Sequence, residues 1–309
     1  MKKTIIWIFI SIFIVLVGWI IFANSIKTNK LETNEHKVVD EFNDIKIISD
    51  TADIVFVYTE EENSLVVCNE QKNVNHSVKV KDNTLLIEIE DNRKWYEYIA
   101  VNFKTPKITI YLSKNEYSKL WVESSTGDIN IPNNFKFSNI DILVDTGNIV
   151  NYSSVYENIK IKTSTGDIHT ENMIANNIAL STSTGKVNII GVNCLGNIKI
   201  NVSTGNTNII NTNCTNLFSK GSTGNISLEN VIGKEKFSIE TNTGDVKFKD
   251  CDASDIFVKT DTGNVTGNLL TDKVIFAETD TGYIDIPKII ANEKCEIITD
   301  TGDIKITID

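Results

Sequence analysis

Asp-Thr-Gly occurs four times in this chain, at Asp145, Asp261, Asp280 and Asp300, and it is the tripeptide that presents the carboxylate in aspartic proteases. That chemistry needs two carboxylates close enough to share a proton, supplied by two related lobes. Here the same position also holds Ser164, Ser183, Ser203, Ser222 and Asn242. The column therefore asks only for a turn-forming side chain able to bond to nearby backbone N–H groups, and no catalytic residue is assigned. Asp261, Asp280 and Asp300 would stack on successive units beside Asp303. Like charges that close invite a divalent cation with oxygen ligands, so these four are the candidate Ca²⁺ ligands. A solvated acidic edge is the plainer account.

Other reactive side chains point to less. Of the five cysteines, Cys194 and Cys214 share one offset in adjacent units, where the Cα spacing would permit a disulfide. Their column otherwise holds Ala and Gly, and Cys251 and Cys295 replace apolar residues, so cysteine reads here as a small buried hydrophobe. His36, His76 and His169 are isolated and no C-x-x-C occurs; the sequence offers no zinc site and implies no cofactor. Trp121, Phe218, Phe257 and Phe276 share an outward column with Asp141, Lys160, Lys199 and Glu296, the last two aromatics falling on neighbouring units. Exposed aromatics in a row can stack on sugars or seat a protein. The alternative is that the amino-terminal region or a loop covers them.

The elements that position these residues follow from a repeat. Ten Thr-Gly pairs recur at intervals of nineteen or twenty residues, with glycines at Gly127, Gly147, Gly166, Gly185, Gly205, Gly224, Gly244, Gly263, Gly282 and Gly302. A period near twenty is one structural unit stacked on itself. Seven residues before the glycine the column is apolar throughout, from Leu120 and Ile140 to Ile275 and Cys295. Five before and two after it are mainly Ile, Val and Leu. Offsets of period two mean strands with one buried face.

The asparagines Asn139, Asn158, Asn177, Asn197 and Asn216 occupy one offset in five consecutive units, as expected if identical amides bond to their copies above and below. Thr-x-Thr pairs such as Thr163/Thr165 and Thr260/Thr262 put the first threonine in phase with the buried positions. These ladders favour a parallel β-solenoid over an antiparallel meander. The expected fold is all-β, a solenoid of about ten 19–20-residue rungs, roughly 48 Å tall at the usual strand spacing. An atypical β-rich amino-terminal cap and one transmembrane helix precede it.

Thr4 to Ile26 carry no charge, long enough to span a bilayer and longer than a signal-peptide core. Residues 1–26 are therefore expected to be a cytoplasmic tip and uncleaved anchor, with a signal peptide cleaved near Ala23 and Ser25 as the alternative, 27–41 a polar tether, 42–118 the capping region and 119–309 the repeats. FNDIKIISDTADIVFVY is a weakened rung with Ala52 in the place of glycine. The net charge of −11 argues against binding nucleic acid or anionic lipid through a basic face. The oligomeric state is not readable.

The order SDTADI, DNTLLIEIE, ITIYLSKNEYSKLWVESSTGDINI and then serial STGDI or DTGNI repeats resembles the bacterial adhesin-like β-strand-repeat family of unknown function. That family includes LiaG-like, membrane-anchored proteins associated with cell-envelope stress. The resemblance covers about residues 38–309. It implies an extracytoplasmic β-solenoid with a role in adhesion or envelope stress, and brings no catalytic residues. The expected function is a non-catalytic, membrane-anchored interaction module at the cell envelope, binding a wall polymer or envelope protein. The alternatives are a stress regulator acting through a membrane partner and a carbohydrate-active β-helix enzyme.

Overall fold

The structure is a computed structural model that describes residues 31–71, 73–93 and 105–309. The anchor expected at residues 4–26 lies outside them. Among the described residues all regular structure is β, and no helix is long and apolar enough to cross a membrane.

Each repeat is one rung bent at its Thr-Gly corner. Along the leg that enters the corner, Ile140, Ile159, Ile178, Ile198, Leu217, Phe237 and Ile256 stand in parallel register on successive rungs. All are buried. Burying an apolar side chain of this size contributes about 1.5–3 kcal/mol, so the inner face supplies the stability and period-two alternation sets the register. The corner requires glycine. At Gly185 φ is +150°, and a Cβ would stand 2.0 Å from the Gly166 carbonyl oxygen on the rung below.

Side-chain ladders stitch the corners. The hydroxyls of Thr163, Thr182 and Thr260 are buried and donate to the carbonyls of Gly147, Gly166 and Gly244 at 3.3, 3.0 and 3.2 Å, as the inward phase of these threonines requires. The residue after each glycine forms a second ladder. Asp128 accepts from the Asn148 N–H at 2.7 Å, Asn148 from Asp167 at 2.9 Å, and Asp167 from Lys186 at 2.7 Å. The turn-bonding role expected of the position two before the glycine therefore belongs to the position one after it.

The amino-terminal end is built differently. The strands are β1 (Leu31–Val38), β2 (Asp44–Thr51), β3 (Asp53–Tyr58), β4 (Ser64–Gln71), β5 (Val74–Lys81), β6 (Thr84–Asp91), β7 (Lys107–Leu112), β8 (Glu116–Thr126) and β9 (Ile129–Ile131). β2 and β3 form the rung with Ala52 at its corner, next to the rung of β8 and β9. The later β6 and β7 lie parallel on its other side. β4 and β5 then run antiparallel to β7 and β6, and β1 antiparallel to β4. Residues 31–38, expected within a polar tether, are thus a sheet strand. Asn34 and Val38 alternate toward the core side, opposite Cys68 and Ser64, and the charges between them face water. Under this end Phe42, Tyr117 and Phe137 stack with ring centroids 5.6 and 6.0 Å apart.

The carboxyl-terminal end departs from chain order. Asp255–Thr262 pairs with Lys294–Thr301, which pairs in turn with Val274–Thr281. The last rung in sequence is inserted between the two before it, so the outermost rung is Val274–Asp285. Where the chain steps past the insertion, the buried Lys273 ammonium is held by Asp252 at 2.8 Å and Glu293 at 2.6 Å.

Candidate binding surface

Side chains that alternate with the buried column face outward and form one long sheet face. Six residues before the corner, spatial order gives Lys46, Trp121, Asp141, Lys160, Ala179, Lys199, Phe218, Ser238, Phe257, Glu296 and Phe276. Phe257 and Phe276 were expected on neighbouring rungs, but the inserted rung puts Glu296 between them. Phe218, Phe257 and Phe276 therefore recur on every second rung, about 10 Å apart at the usual strand spacing. Trp121 stands apart near the capped end, with the Lys46 ammonium 4.7 Å from its ring. Among the described residues no segment covers the face as a lid: Phe218 and Phe257 are half-buried by their neighbours and Phe276 is 59% exposed.

The asparagine ladder borders this column. Asn158 donates to Asn139 at 3.3 Å, Asn177 to Asn158 at 3.2 Å and Asn216 to Asn197 at 3.0 Å. Two shallow grooves lie on this face and share Lys199. One, of about 320 Å³, runs over Ala179 between Asn158 and Lys199. The other, of about 200 Å³, lies beside Phe218, Lys220 and Ser238. The Lys199 ammonium stands 6.0 Å from the Phe218 ring and has no carboxylate partner among the described residues. Lys160 and Lys220 pair with Asp141 and Glu240 at 3.6 and 3.4 Å. The track thus combines aromatic faces, amides and cations, a set that suits a hydroxyl-rich or weakly anionic chain.

The acidic candidates are not arranged as expected. Asp300 lies between Asp261 and Asp280, since Thr299 and Thr301 pair with Thr260 and Thr262 on one side and with Thr279 and Thr281 on the other. Asp303 is engaged in the corner ladder, accepting from the Tyr283 N–H at 2.9 Å. The four do not gather into a common ligand sphere among the described residues.

Sequence reasoning missed one cluster. Cys68, Glu70 and His76 are buried and bring a sulfur, a carboxylate oxygen and an imidazole nitrogen within 4.8 Å of one another. The only signal was spacing: Cys68 and Glu70 alternate onto one face of β4, and β5 returns His76 beside them. All five cysteines are free and buried, as the inward columns of Cys194, Cys214, Cys251 and Cys295 implied. Burial pushes the Cys214 and Cys295 thiols up to about 12, which makes them unreactive.

A family model described as Toastrack DUF4097 matches residues 42–229 and 192–309. The chain belongs to this family. No curated protein matches it. Among solved structures, this Toastrack chain is similar to a "putative adhesin" of Parabacteroides distasonis at 13% identity and a TM-score of 0.45, over 90% of this chain and 97% of that one. A "putative lipid binding protein" of the same species aligns at 15% identity and TM-score 0.46 over the same shares. A "putative adhesin" of Bacteroides fragilis aligns at 18% and 0.35, again over 90% and 97%.

Proposed function

We propose that this Toastrack protein is a non-catalytic binding module for extended glycans of the bacterial cell envelope. The observation that carries the reading is the spacing of Phe218, Phe257 and Phe276 at every second rung. About 10 Å is close to the length of two sugar residues in an extended chain, so each ring would meet the same face of a disaccharide repeat. Stacking on the rings, hydrogen bonds from the asparagine ladder and the Lys199 charge would act along one polymer. Rigid in-register columns keep the entropy cost of binding low.

In this reading residues 4–26 anchor the protein in the membrane with the amino terminus cytoplasmic and the repeats outside. Four residues separate that segment from β1, a reach of at most about 14 Å. The capped end would face the membrane and the open end would project outward.

The test is binding of the full chain, in mild detergent, to purified peptidoglycan and anionic wall polymer, compared with a Phe218→Ser/Phe257→Ser variant. Saturable binding that weakens about tenfold or more in a variant of unchanged stability supports the reading. Equal binding by both forms removes this face as the site. Absence of binding by the parent, with capture of a membrane protein, favours the regulatory alternative.

A further inference from the structure

We propose that Cys68, Glu70 and His76 form a site for a soft divalent metal ion, zinc in the first instance, that staples the amino-terminal cap.

Glu70, His76 and Lys273 are the only charged residue types buried among the described residues. Lys273 is matched by two carboxylates, whereas Glu70 and His76 share their enclosure with a thiol. A buried carboxylate beside a thiol and an imidazole is costly to desolvate. A divalent cation would convert the three into ligands. One thiolate, one imidazole and one carboxylate match the donor types of zinc.

The surroundings already hold the ligands in place. Glu70 Oε2 accepts from the His76 backbone N–H at 2.9 Å and contacts His76 Nδ1 at 2.9 Å, while Oε1 accepts from Asn34 Nδ2 at 2.7 Å. Ser49 Oγ lies 3.2 Å from His76 Nε2. The outer contacts therefore come from β1 and β2 and the ligands from β4 and β5, so one ion would bind four strands together. Partners of this kind fix the orientation of metal ligands and typically change affinity 10–100-fold.

Loading requires a small, definable change. Without metal, Nδ1–H donates to Glu70 and Nε2 accepts from the Ser49 hydroxyl. With metal, Nδ1 and Oε2 both ligate, the ring proton resides on Nε2 and is donated to Ser49 Oγ, and the Cys68 thiol gives up its proton to solvent. The Nδ1–Oε2 separation must widen to roughly 3.3 Å for tetrahedral ligation at usual zinc distances. Because ligation releases the Cys68 proton, affinity for the ion rises with pH.

The test is a cobalt(II) titration of the full chain after chelator treatment, followed by competition with zinc. The proposal predicts one equivalent bound, a thiolate-to-cobalt charge-transfer band in the near ultraviolet, and loss of the band on adding zinc. Cys68→Ser abolishes the band, and Asn34→Ala or Ser49→Ala weakens zinc binding about 10–100-fold. A parent protein with no such band at stoichiometric cobalt overturns the proposal, whether or not the variants fold. So does a band that persists in Cys68→Ser, since it would then arise from another cysteine.

Discussion

The two ends of this solenoid solve the same problem in opposite ways. At the amino-terminal end the outermost parallel rung, β6 with β7, is covered by strands that run antiparallel to it, and the core below closes on stacked rings of Phe42, Tyr117 and Phe137. At the other end the Val274–Asp285 rung has neighbours on one side only among the described residues. Ile275, Ala277 and Ile286, which occupy inward positions, are only partly buried, while Tyr283 is 83% and Ile290 100% exposed. A solenoid needs a cap because its last rung would otherwise leave core and edge uncovered. The difference teaches that inward columns alone do not make a rung stable; a neighbour on each side does.

The comparison can be broken at its largest effect by placing a side chain at a corner. Gly185→Val drives Cβ into the Gly166 carbonyl with rungs fixed above and below, and should cost more than about 3 kcal/mol in denaturant unfolding. Gly282→Val meets the same obstacle at Gly302, but its rung can move away, and the loss should be less than half as large. Equal losses would mean that the terminal rung is as constrained as an interior one.

Next in size is the core. Phe237→Ala, fully buried, should cost about 3–5 kcal/mol. Ile275→Ala, in the same column on the open rung, should cost about 1 kcal/mol because much of its apolar surface stays in water. Alkaline pH sharpens the view of the interior. The Cys214 and Cys295 thiols rise from 9.0 to about 12, and the Tyr117 phenol from 10.0 to about 12, through burial. The unfolded chain releases these protons first, so stability is full below pH 9 and falls between pH 9 and 12. Cys295→Ala should flatten that fall in a pH series of thermal melts. The smallest effect is expected from Asn177→Ala, which interrupts the amide ladder on both sides at a cost of about 1 kcal/mol.

Much of the interior was legible because stacking repeats one environment. Identical side chains at Asn139, Asn158 and Asn177, and threonines in phase with the buried column, imply parallel register. The ends were not legible for the same reason. The inward residues of Val274–Thr281 and Lys294–Thr301 fit the column equally well, so nothing in the pattern says which lies outermost. Lys273 was the available sign, a lysine beside a small-residue column whose charge is met by Asp252 together with Glu293 at the start of the inserted rung. β1 hid because its polar outer face outweighs the few residues that turn inward. Cys68, Glu70 and His76 were separated by a turn whose geometry no motif records.

Crosslinking tests the reordered end most directly. Thr262 and Thr301 stand opposite one another in adjacent strands, as do Thr281 and Thr301, whereas Thr262 and Thr281 are two strands apart. With the native cysteines replaced by Ala, Thr262→Cys/Thr301→Cys should form a disulfide on mild oxidation and Thr262→Cys/Thr281→Cys should not. A disulfide in the second variant and none in the first would place the rungs in sequence order and contradict the account.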